Sequence, residues 1–220
     1  VFAEAENLVG DLVNKAIAQA DPDLPIILAA HASVQGAVFG SERAVMLGSE
    51  LVLGGNLVRD KRLDYVALGH IHKHQELSTK GTHPPIVYPG SIERIDFGEV
   101  NERKGFVVAE VSKGHTDWDF VGLKTRRFLD LKLDTQDAGT FMADIMSQLP
   151  DTEKLAGAVC RVQLTYPRDW ETLLDEKAIQ DHFAGALSVQ VQKHRLLEKR
   201  SRLGDTLAVE SLTPEELLKT

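Results

Sequence analysis

Apolar and polar positions divide the chain into recognisable elements. Residues 2–20 carry Phe2, Leu8, Leu12, Val13, Ala16 and Ile17 near helical spacing, which predicts a helix. Asp21-Pro22-Asp23-Leu24-Pro25 ends it. Ile26 to Ala30 is an uninterrupted apolar run that leads straight into His31, and Tyr65 to Leu68, closed by Gly69, repeats the design into His70. Continuous apolar runs of this length predict strands of a sheet covered on both faces. The Gly-rich stretch 32–58 holds two short strand candidates, Val45-Met46-Leu47 and Leu51-Val52-Leu53, before the polar turn Arg59 to Arg62. Gln75 to Thr82 reads as a polar turn, Ile86-Val87-Tyr88 as a short strand, Pro89-Gly90-Ser91 as a tight turn and Phe106 to Val111 as a strand. Lys113 to Asp117 reads as a turn.

The pattern changes near Lys124. Phe128, Leu129, Leu131 and Leu133 suit a mostly alternating strand. Asp137 to Leu149 predicts a helix with Phe141, Ile145 and Leu149 on one face, ended by Pro150-Asp151. Val159 to Tyr166 is a strand, Asp169 is the expected cap of a helix to about Phe183, and Leu187, Val189 and Val191 alternate as a last strand. This β-α-β-α-β order predicts a small α/β unit able to fold by itself. The expected division is 1–124 for a first α/β unit, 125–195 for the second, and 196–220 for a linker leading to a helix begun by Thr213-Pro214-Glu215-Glu216 and then cut short. With a start at Val1, this reads as a piece of a longer protein.

Composition adds limits. The 220 residues are 43% hydrophobic and 26% charged, an ordinary globular balance, with no apolar run long enough to span a membrane. The single cysteine, Cys160, cannot form an internal disulfide, which fits a reducing, cytoplasmic setting; sharing a strand face with Ala158, Val162 and Leu164, it reads as a core thiol. A net charge of −8 argues against a chain coated for nucleic acid. Two local basic runs stand against that: Lys124, Arg126 and Arg127, and Lys193 to Arg202 with five Lys/Arg to one Glu.

The chemistry sits at the strand exits. His31, His70 and His72 leave apolar runs, and if those strands are neighbours their ends converge where α/β sheets bind ligands. Neutral imidazoles held there can take a divalent metal. Arg94, after the Pro-Gly-Ser turn, is a candidate phosphate donor or an ion-pair partner of Glu93 or Asp96. Lys73 and Ser91 are further candidates for phosphate contact, although Ser91 reads first as a turn residue. His74 is expected at the surface, His83 and His115 in a loop and a turn, and His182 and His194 on a helix face or surface.

Leu68-Gly69-His70-Ile71-His72-Lys73, the strand-borne His31, and the string Tyr88-Pro89-Gly90-Ser91, Glu93-Arg94, Asp96-Phe97-Gly98-Glu99 and Lys104-Gly105 resemble the calcineurin-like metallophosphoesterases. More narrowly they resemble the nuclease subunit of bacterial SbcCD and its archaeal and eukaryotic relatives in double-strand-break repair. The resemblance covers essentially the whole chain, with the second unit similar to a DNA-contacting capping domain. It implies a four-layer α/β sandwich followed by that cap, and a two-metal site in which His31 and His70 bind one ion and His72 the other. It also implies Mn2+ (or Mg2+) as cofactor, exonuclease and endonuclease cleavage of DNA, a homodimer, and an SbcC-like coiled-coil ATPase as partner. The family's earlier motifs, Asp-x-His, Gly-Asp and Gly-Asn-His, lie upstream of its strand-His motif. Residues 1–30, with no histidine, are read as supplying none of them. The chain alone is therefore expected to hold half a metal site and to be inactive. The alternatives are another metallophosphoesterase, acting as phosphatase or phosphodiesterase, and a non-catalytic fragment that binds DNA or the ATPase.

Overall fold

The computed structural model describes residues 2–40, 52–79, 81–135 and 137–196. The Val45–Leu47 candidate, the run beyond Leu196 and the Thr-Pro-Glu-Glu segment lie outside them. Within them the fold is mixed α/β, as the pattern predicts.

Helix α1, Phe2–Gln19, opens the chain. Its inward stripe is Val9, Val13 and Ile17, four apart, with Ile17 buried in the first core. Leu8 and Leu12, read from the sequence as apolar-face positions, are 61% and 59% exposed instead. Strand β1, Ile27–His31, pairs in parallel with β4, Tyr65–Gly69. β4 continues the sheet to β6, Ile86–Tyr88, and a short antiparallel β5, Gln75–Glu76, forms the far edge where the sequence suggested only a turn. The small strands β2, Ser33–Val34, and β3, Val52–Leu53, pair beside this sheet, and one helical turn, α2, Gly55–Val58, precedes β4. Val58, Leu63, Val66, Leu68, Ile71, Ile86 and Tyr88 fill the core on one side.

The expectation of cover on both faces fails for β1. Its exposure alternates, with Ile27 53% exposed. A cleft of about 560 Å³ opens along this side, lined by residues that include Ala29, His31, Tyr65, Ala67, Val87 and Phe106. Among the described residues nothing fills it.

Strands β7, Gly105–Ser112, and β8, His115–Gly122, form an antiparallel hairpin closed by Lys113-Gly114 alone. His115 therefore starts a strand rather than lying in the turn. The missed signal was the alternation of Thr116, Trp118 and Phe120 with the exposed Asp117 and Asp119.

The second unit is a parallel sheet in the order β11-β10-β9, made of Phe128–Asp134, Val159–Pro167 and Ser188–Leu196 in chain order as β9, β10 and β11. Helix α3, Phe141–Gln148, buries Phe141 and Ile145, and Leu149 just beyond it joins the same core with Cys160, Val162 and Leu164. Burial pushes the Cys160 thiol up, which suits the core reading. A short α4, Thr152–Leu155, follows. The helix expected from Asp169 is two pieces: a 3-10 turn, Arg168–Leu173, and α5, Glu176–His182. Its working cap is Asp175, whose carboxylate accepts from the Ala178 amide at 3.0 Å, so the start was placed one element early.

Asp64, 1% exposed, ties the first unit together. Its carboxylate accepts from the Ile26 amide at 2.8 Å, the Gly114 amide at 2.7 Å and Lys113 Nζ at 3.1 Å. Its own amide donates back to Ile26 O at 2.7 Å, and Thr116 Oγ1 donates to its carbonyl at 2.6 Å. Burial pushes this carboxyl up, but the two amides and the Lys113 ammonium outweigh burial and hold it below its ordinary value of 3.8. A depressed folded-state value means the stabilisation is fully present above about pH 4 and is lost as pH falls through the folded value. Replacing Asp64 with Ala removes the acceptor of two part-buried amides and of Lys113, and is expected to cost about 1–3 kcal/mol, read as a lower urea midpoint. The loss relative to wild type should shrink below pH 4; an equal difference at pH 3 and pH 7 would contradict the assignment.

Candidate functional site

Parallel pairing sets His31 opposite Gly69 and puts both strand ends at one edge. The His31 ring lies over Gly69, where an added Cβ would stand 2.9 Å from His31 Nδ1. Only a glycine leaves that space. The next residue, His70, has φ +92°, a conformation that side-chain-bearing residues rarely adopt. This bend takes His70 off the strand and brings its ring to 5.2 Å from that of His31, edge to face. Two imidazoles at that distance can reach one ion lying about 2.0–2.2 Å from each ligating nitrogen. Backbone strain of this kind costs about 1–3 kcal/mol and is retained where a site needs it.

His72 goes elsewhere. The extended-strand parity that would align it with His70 does not apply, because β4 ends at Gly69. Its Nδ1 donates to Glu99 Oε1 at 2.9 Å. Its carbonyl accepts from the Ser91 amide at 3.0 Å and from Lys104 Nζ at 3.2 Å. Gly90 makes this fit possible: φ is +80°, and a Cβ there would come within 2.6 Å of the His72 carbonyl oxygen.

The phosphate-contact candidates fare differently. Arg94 makes neither the phosphate-facing fork nor the ion pair read from sequence. Its guanidinium is consumed by internal acceptors: Nε donates to Glu99 O at 3.1 Å and Val100 O at 3.2 Å, Nη2 to Glu102 O at 2.9 Å, and Nη1 to Arg126 O at 3.1 Å and to Thr125 Oγ1. Ser91 is a turn residue, its hydroxyl donating to Glu93 O at 2.8 Å. Lys73 is exposed beside the histidines. Arg126 and Arg127 of the basic knot reach back to the carbonyls of Gly157 and Ala156 at 3.3 and 3.4 Å.

His74 is half-buried rather than a fully exposed surface residue. Its Nδ1 donates to Tyr88 O at 2.8 Å, and its ring stacks on Phe120 at 4.0 Å. His83, in its loop, lies 3.5 Å from Asp64, and His182 caps the second unit by donating to Pro150 O at 2.9 Å. Sequence reasoning missed Glu99 and Lys104 as supports of His72. Glu99 is fully buried and Lys104 is 3% exposed. An acid and a base inside the tightly turned stretch after Pro89 were the available signal.

Among the described residues no three His, Cys, Asp or Glu side chains gather into a cage for a metal ion. The one Gly-Asp dipeptide before His31, Gly10-Asp11, lies inside α1 with Asp11 exposed, so it is no bridging carboxylate. The donor set thus fits part of a divalent-metal centre, with two convergent imidazoles and a third held by a carboxylate.

No protein-family model matches the chain. It is 29% identical over 148 residues, 65% of its length, to the uncharacterized metallophosphoesterase YhaO of Bacillus subtilis (strain 168). It is 32% identical over 107 residues, 48% of its length, to SbcD, a component of the nuclease SbcCD of Staphylococcus epidermidis (strain ATCC 12228 / FDA PCI 1200). The chain is a relative of the metallophosphoesterase superfamily. Within that superfamily its resemblance is to SbcD-like proteins. The matched regions span 35% and 27% of those two relatives. Metallophosphoesterases use divalent metals, in keeping with the imidazole pair.

Two expectations follow. Without the ring, His70→Gly should be more stable than His70→Ala by about 1 kcal/mol, because only glycine accepts φ +92° without strain; equal denaturation midpoints would show the bend is not held in solution. Arg94→Lys keeps the charge but loses the fork, and should cost about 2–3 kcal/mol in a chemical melt. A phosphate-binding Arg94 would leave stability unchanged.

Proposed function

We propose that this chain is the later part of an SbcD-like, metal-dependent nuclease, a phosphoesterase-type hydrolase acting on DNA in break or hairpin repair. The observation that carries the reading is the His31–His70 pair at the C-terminal edge of two parallel strands, with His70 bent into a strained conformation. His31 and His70 would hold one ion and His72 the other, with Mn2+ the expected metal and Mg2+ the alternative. Bound there, such ions activate a water and neutralise charge on the phosphate under attack. The chain's own part is to set the imidazoles: His31 over Gly69, His70 by its bend, His72 on Glu99.

In this reading residues 1–124 are part of the nuclease domain, 125–195 a cap that contacts DNA, and 196–220 a segment toward an SbcC-like coiled-coil ATPase. The assembly is a cytoplasmic homodimer. No helix among the described residues is long and apolar enough to cross a membrane. Lys73, exposed beside His72, is the remaining candidate for a phosphate contact.

Among the described residues no carboxylate gathers with His31 and His70 to bridge two ions, and Glu99 is taken up behind His72, so the 220 residues alone are expected to be inactive. With Mn2+ and linear duplex DNA, the chain is expected to release nucleotides at under about 1% of the rate of the Staphylococcus relative, since removing one arm of a catalytic unit costs about as much as removing all. In a polypeptide that also carries Asp-x-His, Gly-Asp and Gly-Asn-His upstream, cleavage should appear and His70→Ala should abolish it. Processive degradation by the chain alone would overturn the half-site. Hydrolysis of a simple phosphate ester with DNA untouched would favour the phosphatase or phosphodiesterase reading.

A further inference from the structure

We infer that Glu99, backed by Lys104, is the positioning residue for His72: it holds the ring by Nδ1 and so leaves the lone pair on Nε2 as the ligating nitrogen. The inference rests on the metal reading of His72 given above and adds which nitrogen binds and what fixes it.

The geometry is built for this. Glu99 ends a 3-10 turn, Phe97–Glu99, that Asp96 caps by accepting from the Gly98 amide at 2.7 Å. The turn carries the carboxylate inward to full burial. One oxygen accepts from His72 Nδ1 at 2.9 Å. The other accepts from the Ile95 amide at 3.1 Å and pairs with Lys104 Nζ at 2.9 Å. Lys104 in turn has three acceptors for its three N–H groups: Glu99 Oε2, Glu102 Oε2 at 2.8 Å and the His72 carbonyl at 3.2 Å. Both the ring and the main chain of His72 are therefore fixed by one buried ion pair, while the His72 side chain keeps 30% of its surface accessible.

A buried ion pair is a poor device for stability alone, because desolvating both charges offsets most of their attraction. What this pair does is hold an imidazole. A carboxylate can only accept, so the ring must place a proton on Nδ1. That selects the tautomer in which Nε2 is the base, and a carboxylate behind a ligating histidine also raises its basicity. Without Glu99 the ring would be free to carry its proton on Nε2, which cannot bind a metal in that form.

The test uses the 220-residue chain and Mn2+. Long-range 15N–1H spectra at pH 8.5, above the usual titration range of histidine, report the tautomer of His72 without any metal. The expected result is a proton on Nδ1 in the wild type and a redistribution toward Nε2–H in Glu99→Gln. Titrating Mn2+ and following paramagnetic broadening of the His72 ring signals should show the midpoint raised about 10- to 100-fold in Glu99→Gln, with the cooperative melt retained. A wild-type His72 protonated on Nε2 overturns the inference, and that measurement needs no variant to fold. So does an unchanged Mn2+ midpoint in a folded Glu99→Gln. If the wild-type tautomer is as expected but Mn2+ never broadens His72, the metal reading fails instead. Broadening of His31 and His70 in the same titration reports on the first ion independently.

Discussion

The buried carboxylate of Asp64 is the constraint on which the histidine edge depends. It joins three backbone segments that meet at one end of the sheet: the start of β1 through Ile26, its own strand β4, and the β7–β8 turn through Lys113 and Gly114. The exchange of bonds between Asp64 and Ile26 fixes the register of β1 on β4 at that end. Five residues later the same register sets His31 opposite Gly69. A slip by one residue would reverse which face each side chain takes and would separate His31 from His70. The site is thus placed from its far end, by a residue with no part in any chemistry there.

Much of this was legible in the sequence, for a physical reason. An uninterrupted apolar run marks a strand of a parallel sheet, and a histidine directly after it sits at the strand exit; that logic located β1, β4 and the histidines that follow them, although β1 is not covered on both faces. The second unit was read almost strand for strand because its helix stripe, Phe141, Ile145 and Leu149, and its strand alternation around Cys160 both point into one core. What failed were inferences from local pattern to long-range surroundings. His74 looked like a surface residue because nothing adjacent suggests that Phe120, on a strand far along the chain, stacks on it. Arg94 looked like a phosphate donor because its acceptors, four backbone carbonyls and the Thr125 hydroxyl, carry no sequence signal. His72 parts from His70 at a single backbone angle, the positive φ of His70, that no residue type announces.

The stretch from Pro89 to Gly105 gains its meaning from those surroundings. Read as a motif it suggested phosphate chemistry; in the fold its members hold one another. Gly90 makes room for the His72 carbonyl, Ser91 closes the turn, and Asp96 caps the turn that presents Glu99. The same stretch reaches the second unit. Glu93 accepts from the Arg126 amide at 3.1 Å, Arg94 bonds Thr125 and Arg126, and Phe97 packs edge to face on Phe128 at 5.2 Å with the Arg161 guanidinium 4.4 Å over its ring.

One loop therefore carries two loads. Its inner side fixes His72 through Glu99 and Lys104, and its outer side fixes the entry into β9. Arg94 links them directly, since the guanidinium that bonds Thr125 and Arg126 also bonds the carbonyl of Glu99. A displacement of the second unit that pulled on Arg94 would pull on the peptide that bears the His72 support. Rigid coupling of this kind needs no flexible relay: a planar fork bonded through all three of its nitrogens moves as one body with its acceptors. If the second unit contacts DNA, as proposed, substrate would press on the segment that orients a metal ligand, and the position of the cap and the set of the site would be settled together.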